Sequence, residues 1–129
     1  MKKVVIPVFI GGALGAILRE VMMLIVPVGP RGFPYDILIA NVVAACLLGF
    51  VKAMHTRKIV SDGVFTLVGV GVAGGLSTFS SFVYAMALLT SRSISGALVA
   101  LAYAATSLIM GYIAVGVGQK LGGYARSPA

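Results

Sequence analysis

The sequence predicts an all-α membrane protein of four transmembrane helices, the third broken at its centre. Three observations carry that prediction. The 129 residues are 60% hydrophobic and 10% charged, whereas soluble domains carry about a quarter charged residues. Charge-free stretches recur four times along the chain. The third is too long for one straight crossing and holds a run of Gly, Ser and Thr at its middle. The same composition excludes intrinsic disorder, which needs low hydrophobicity. A single Cys, Cys46, excludes a disulfide framework within the chain. One His and three acids give no ligand cluster and no nucleophile–base set, so neither a metal centre of clustered side chains nor an enzyme is expected. The net charge of +7 is not gathered into one stripe on a soluble face, so nucleic acid is not an expected partner.

A single domain over 1–129 is expected, with spans at about 4–27, 34–53, 63–90 and 94–119. The first runs from Val4, carries the pair Arg19-Glu20, and is ended by Pro27, Gly29 and Pro30. Its length, its glycines and that charged pair make it a span and not a cleaved leader. The second is charge-free from Ile37 to Val51, between Asp36 and Lys52. Those fifteen residues are completed by Phe33, Pro34 and Tyr35 before them and by a snorkelling Lys52 after them. The third stretch, Gly63 to Ser91, has 29 uncharged residues. As a straight helix it would be ~43 Å long against a hydrocarbon core of ~30 Å. Its middle, Gly74-Gly75-Leu76-Ser77-Thr78-Phe79-Ser80-Ser81-Phe82, is poor helix material. Broken backbone at membrane depth is tolerated only against protein or a water-filled site, so this segment is the strongest functional pointer in the chain. The fourth stretch runs from Ser93 to Gln119.

Four spans put both termini on one side. That side holds Lys2, Lys3, Lys52, Arg57, Lys58, Lys120 and Arg126, and the other holds Arg31 and Arg92. Seven against two predicts cytoplasmic termini in a multi-pass protein of the cytoplasmic (inner) membrane. Gly11 with Gly15, and Gly71 with Gly75, have the spacing that lets helices approach closely.

Polar atoms inside the spans are the candidates for chemistry. Asn41 is an amide in an apolar run, either an interhelical tie or a pore group. Ser77, Thr78, Ser80 and Ser81 are more hydroxyls than local backbone satisfaction needs, which points to a lined path or an ion site. Phe79 and Phe82 share a face at i, i+3, the usual sign of core packing, yet ring edges can contact an anion. Tyr103 and Ser107 form a polar stripe at i, i+4 that suits interhelical bonding or a pore equally. Arg19 and Glu20 are adjacent and point about 100° apart, so each needs its own partner. His55 reads as an exposed loop residue and Cys46 as a small packing residue.

These residues resemble the Fluc (CrcB) fluoride channels of microbes over nearly the whole length. The resemblance rests on Gly11-Gly12-Ala13-Leu14-Gly15-Ala16 with Arg19, on Asn41 and Gly49, on the run Gly74 to Phe82, and on Ser107-Leu108. It implies an antiparallel, dual-topology dimer with two pores that exports fluoride passively. It implies that Phe79 and Phe82 meet the anion with their ring edges, that Asn41 is the pore amide, and that Ser107 belongs to a polar track. It implies that the backbone carbonyls of Gly74 and Ser77 hold a structural Na+ at the dimer centre, and that Arg19 is a vestibule residue. Ser80, Ser81 and Tyr103 complete the pore candidates. Asn amides and hydroxyls can replace fluoride's water, while acids would repel it, and carbonyls suit a hard cation.

The sequence departs from the family pattern at Glu20, where an aromatic is usual. It departs at Tyr35-Asp36-Ile37-Leu38, where Gly-Thr-Leu is favoured, and at Gly111, where a hydroxyl is common. The charge bias also conflicts with dual insertion, so a heterodimer stands beside the family's homodimer. Two other readings remain: a small proton-coupled multidrug-type exporter using Glu20, and a non-transporting membrane assembly subunit.

Overall fold

The computed structural model describes residues 2–125, with the backbone alone for Lys2, Lys3 and Arg92; Arg126, counted above on the terminal side, lies outside the described residues. The described residues are helical, with no strand among them, and four stretches are long and apolar enough to cross a membrane.

Helix α1 (Lys2–Ile25) stops two residues before Pro27. Proline's ring disfavours helical backbone in the residue before it. A short turn at Pro30–Gly32 follows, and its Arg31 takes left-handed backbone at φ 59°. Helix α2 (Tyr35–Thr56) continues a full turn past Lys52. Helix α3 spans 62–76. It starts on Ser61, whose hydroxyl accepts from the Val64 N–H, and its stretch Phe65–Val72 has widened π-type turns. Ser77 (ψ 151°) and Thr78 (φ −146°, ψ 117°) are extended. Helix α4 (Phe79–Arg92) resumes the third span, capped by the Thr78 hydroxyl, which accepts from the Ser81 N–H. The adjoining glycines Gly74 and Gly75 stay helical. Helix α5 (Ile94–Tyr124) runs a turn beyond Gln119, where the fourth charge-free stretch ends. Arg57 makes this possible by donating to the carbonyls of Gly122, Gly123 and Ala125 at its end.

Helix α1 lies against α3, and α2 lies along α5. The first seam is backbone on backbone. A Cβ added at Gly75 would collide with the Gly12 carbonyl, and one at Gly11 with the Leu67 carbonyl. The glycine spacing therefore serves close helix approach, as expected. A core of Ile37, Leu38, Ala85 and Tyr103 fills the space between α2, α4 and α5, beside Phe33 and Phe82. Large apolar side chains such as Phe9, Leu24, Leu101 and Leu108 stay exposed, as lipid-facing residues do.

Candidate functional site

The interruption at Ser77–Thr78 leaves backbone groups without helical partners. Asn41, on α2, satisfies both ends of Thr78. Its Oδ1 accepts from the Thr78 N–H at 2.7 Å, and its Nδ2 donates to the Thr78 carbonyl at 3.3 Å. A side-chain amide thus stands in for a missing strand or turn, which explains an amide in an otherwise apolar run. An amide nitrogen carries two hydrogens, so one remains for another acceptor.

Around this clamp lies a cleft of about 300 Å³ lined by Asn41, Ser77, Thr78, Phe79, Phe82, Ser107 and Leu108. The cleft collects residues from α2, α4 and α5 that are up to 67 positions apart in the chain. The rings of Phe79 and Phe82 are 6.0 Å apart and nearly parallel. Phe82 in turn sits 5.1 Å from the ring of Tyr103. Phe79 is 79% exposed, so one copy of the chain leaves this face open. Tyr103 is fully buried; its hydroxyl and that of Ser107 make no hydrogen bond of standard geometry, although the two lie close enough to interact. The two lie one turn apart on the same face of α5, as i, i+4 spacing requires. Buried polar atoms without partners mark places where water or an ion belongs. No acid lines the cleft.

Of the residues singled out from the sequence, Asn41, Phe79, Phe82 and Ser107 share this cleft, with Tyr103 behind Phe82. Ser80 and Ser81 do not line it. Their hydroxyls lie 3.3 and 3.0 Å from the Thr78 hydroxyl, and Ser81 faces a separate cavity. Thr78 was not among the chosen pore residues, and it organises the whole break. The signal for it was present, since Thr three residues before Ser81 at the start of an apolar run is a helix N-cap pattern. Gly74 and Ser77 are both exposed, and line a concavity of about 470 Å³ on the other side of Asn41. The Ser77 hydroxyl donates to the Gly74 carbonyl at 3.2 Å. Arg19 reaches the Gly75 carbonyl at 3.3 Å. It also approaches Glu20 at 3.8 Å, so the adjacent pair does meet: their long side chains bend toward each other despite diverging at Cβ. His55, expected as a plain loop residue, stacks on Phe65 and bonds Asp62 at 2.8 Å.

Neutral donors and aromatic rings thus gather where an apolar helix stops, in a chain with four helices long and apolar enough to cross a membrane, which is the make-up of a multi-pass membrane protein. A family model described as CrcB-like protein, Camphor Resistance (CrcB), matches residues 6–119. The chain is 52% identical over 122 residues to fluoride-specific ion channel FluC 2 of Brucella melitensis, a match covering 95% of this chain and 45% of that protein. It is 44% identical to FluC 3 of Yersinia pseudotuberculosis, covering 95% and 90%, and 38% identical to FluC of Deinococcus radiodurans, covering 88% and 90%. The chain belongs to the CrcB-like family. It spans less than half the length of the Brucella relative.

Proposed function

We propose that the chain is a single four-helix transmembrane channel domain that conducts fluoride passively out of the cell across the cytoplasmic membrane. The observation that carries this reading is the cleft where Asn41, Phe79, Phe82 and Ser107 meet beside an interrupted helix with no acid in the lining. The names of the relatives supply the ion. Asn41 contributes its second amide hydrogen, Ser107 and Tyr103 contribute hydroxyls, and Phe79 and Phe82 contribute ring edges, whose partial positive charge faces the anion. Fluoride keeps a close shell of donors as it loses water. Ser80 and Ser81 act one step removed, through the Thr78 cap. Arg19 holds positive charge near the interrupted segment.

The open face of the cleft is closed by a second, antiparallel copy, giving two pores per dimer. Exposure of Phe79, Gly74 and Ser77 supports this reading. The carbonyls of Gly74 and Ser77 lie at a helix end with no next turn to donate to them, and they are hard oxygen ligands. They fit a structural Na+ shared with the second copy, which would add positive charge beside the anion's route. The one-sided charge of the loops favours a partner of opposite orientation, so a homodimer and a heterodimer predict different masses on native gels of the chain expressed alone.

The test is fluoride efflux from liposomes holding the purified protein, followed with a fluoride electrode. Flux selective over chloride and independent of a proton gradient is expected. Equal chloride flux, or flux only with a proton gradient, overturns the reading. The exporter reading would need Glu20 in a buried site, but its side chain is 65% exposed and beside Arg19.

A further inference from the structure

Two cavities lie side by side at the end of the bundle where α2 begins, away from the cleft described above. The first, of about 340 Å³, has Asp36 as its one charged lining residue. Asp36 is 8% exposed, and its Oδ1 is fully buried without a hydrogen-bond partner. An acceptor stranded in this way marks a place where a donor from outside the chain belongs. The second cavity, of about 220 Å³, is lined by Arg31, Ser93 and Ser95. It sits on the N-terminus of α5, the positive end of a 31-residue helix. The Ser93 hydroxyl accepts from the Gly96 N–H at 3.1 Å, which leaves earlier N–H groups of that turn to be satisfied. Leu89 lines both cavities, and Arg31 and Gly32, adjacent in the chain, line one each. Among the described residues neither Asp36 nor Arg31 belongs to an ion pair.

The surroundings say from where an occupant arrives. Met23 of α1 and Tyr84 and Leu88 of α4 wall the first cavity, yet these two helices pack on other elements and scarcely on each other. The fissure between them is flanked by Leu24, Val28 and Tyr84, all well exposed. The first turn of a span is also the depth at which a bilayer keeps its head groups.

We infer that the two cavities form one seat for the head group of an ethanolamine phospholipid. The Asp36 carboxyl accepts from its ammonium, and Arg31 with the α5 N-terminus holds its phosphate. In that head an ethylene bridge separates a cation from an anion, as Leu89 separates the two cavities. A carboxyl offers the ammonium the acceptor it needs, and Ser81 and Tyr84 add hydroxyl oxygens. The acyl chains lie along the exposed fissure between α1 and α4. This seat needs only a membrane-spanning chain and is independent of the channel reading.

The experiment is native mass spectrometry of the purified full chain in detergent, offered phosphatidylethanolamine or phosphatidylcholine of the same acyl chains. The two share a phosphate, but the choline nitrogen has no hydrogen to donate. The ethanolamine lipid should be retained about tenfold better, the order expected for one hydrogen bond to a charged group. Asp36→Asn, which keeps the side-chain volume, should remove that preference. Arg31→Gln should lower retention of both lipids, and Lys52→Gln, at the opposite end of α2, should leave the preference unchanged. Equal retention of the two lipids by the wild-type chain overturns the inference, as does a preference that survives Asp36→Asn. Displacement of the lipid by an equal concentration of glycerophosphoethanolamine, which has the head and no tails, overturns a membrane lipid as the occupant. If Asp36→Asn gives no monodisperse protein, the wild-type comparison and Arg31→Gln still decide.

Discussion

The two halves of the third span are built on opposite principles. Before Leu76, α3 presses glycine backbone into α1, and a single added methyl at Gly75 would strike the Gly12 carbonyl. After Leu76 the helix stops, two residues run extended, and α4 restarts under a cluster of hydroxyls. The first half has surrendered side chains for contact. The second has surrendered helical hydrogen bonds and recovered them from Asn41 and Thr78. The difference teaches where function can reside in so small a bundle. Where the backbone is interrupted, polar atoms satisfy groups that lipid would leave bare.

Substitutions can break this contrast from either side. The largest expected effect is at the site: Phe82→Ile should reduce fluoride efflux to the protein-free background, and wild-type-like flux would refute its pore role. Next comes the seam. Gly75→Val should cost more than the ~1–3 kcal/mol typical of overpacking, because the obstacle is backbone and cannot rotate away. It should appear as loss of the monodisperse species on size exclusion in detergent. Asn41→Ala leaves Thr78 with a buried N–H and C=O unpaired, a cost of about 1–3 kcal/mol for each group. A lower unfolding midpoint together with reduced flux is expected, and reduced flux alone would show that Asn41 serves the ion and not the break. The smallest effect should be at Ser80. Its exposed hydroxyl only touches that of Thr78, so Ser80→Ala should keep flux within about twofold if its bond is a surface one of ~0.5–1.5 kcal/mol. A larger loss would put Ser80 inside the conducting path.

Much of this arrangement was legible in the amino acids. Charged residues mark the ends of the spans because lipid excludes them, and α2 needed only its flanks added. Glycine spacing foretold the α1–α3 seam because close approach has few other solutions. The i, i+4 relation of Tyr103 and Ser107 foretold a shared face. What could not be read was pairing. Asn41 announced that it needed a partner, but nothing in the sequence named Thr78, 37 residues away. Asp36 looked like a charge marking the start of a span, and instead it is buried in the first turn. The widened turns of Phe65–Val72 leave no periodic trace, since a stretch that is apolar on nearly every side reads alike at any pitch. The overrun of α5 depended on Arg57, whose reach across to another helix end is a tertiary event.

The glycine seam has one more consequence, for motion. Helices in van der Waals contact through their main chains have no soft layer between them to shear. Shifting α1 along α3 would drive Gly11 and Gly15 out of their seats opposite Gly71 and Gly75. On the proposed channel reading, an ion would therefore be accommodated by turning side chains, which at exposed positions takes picoseconds to nanoseconds, and not by rocking helices, which takes microseconds or longer. Transport through such a frame should vary with temperature about as weakly as diffusion in water does.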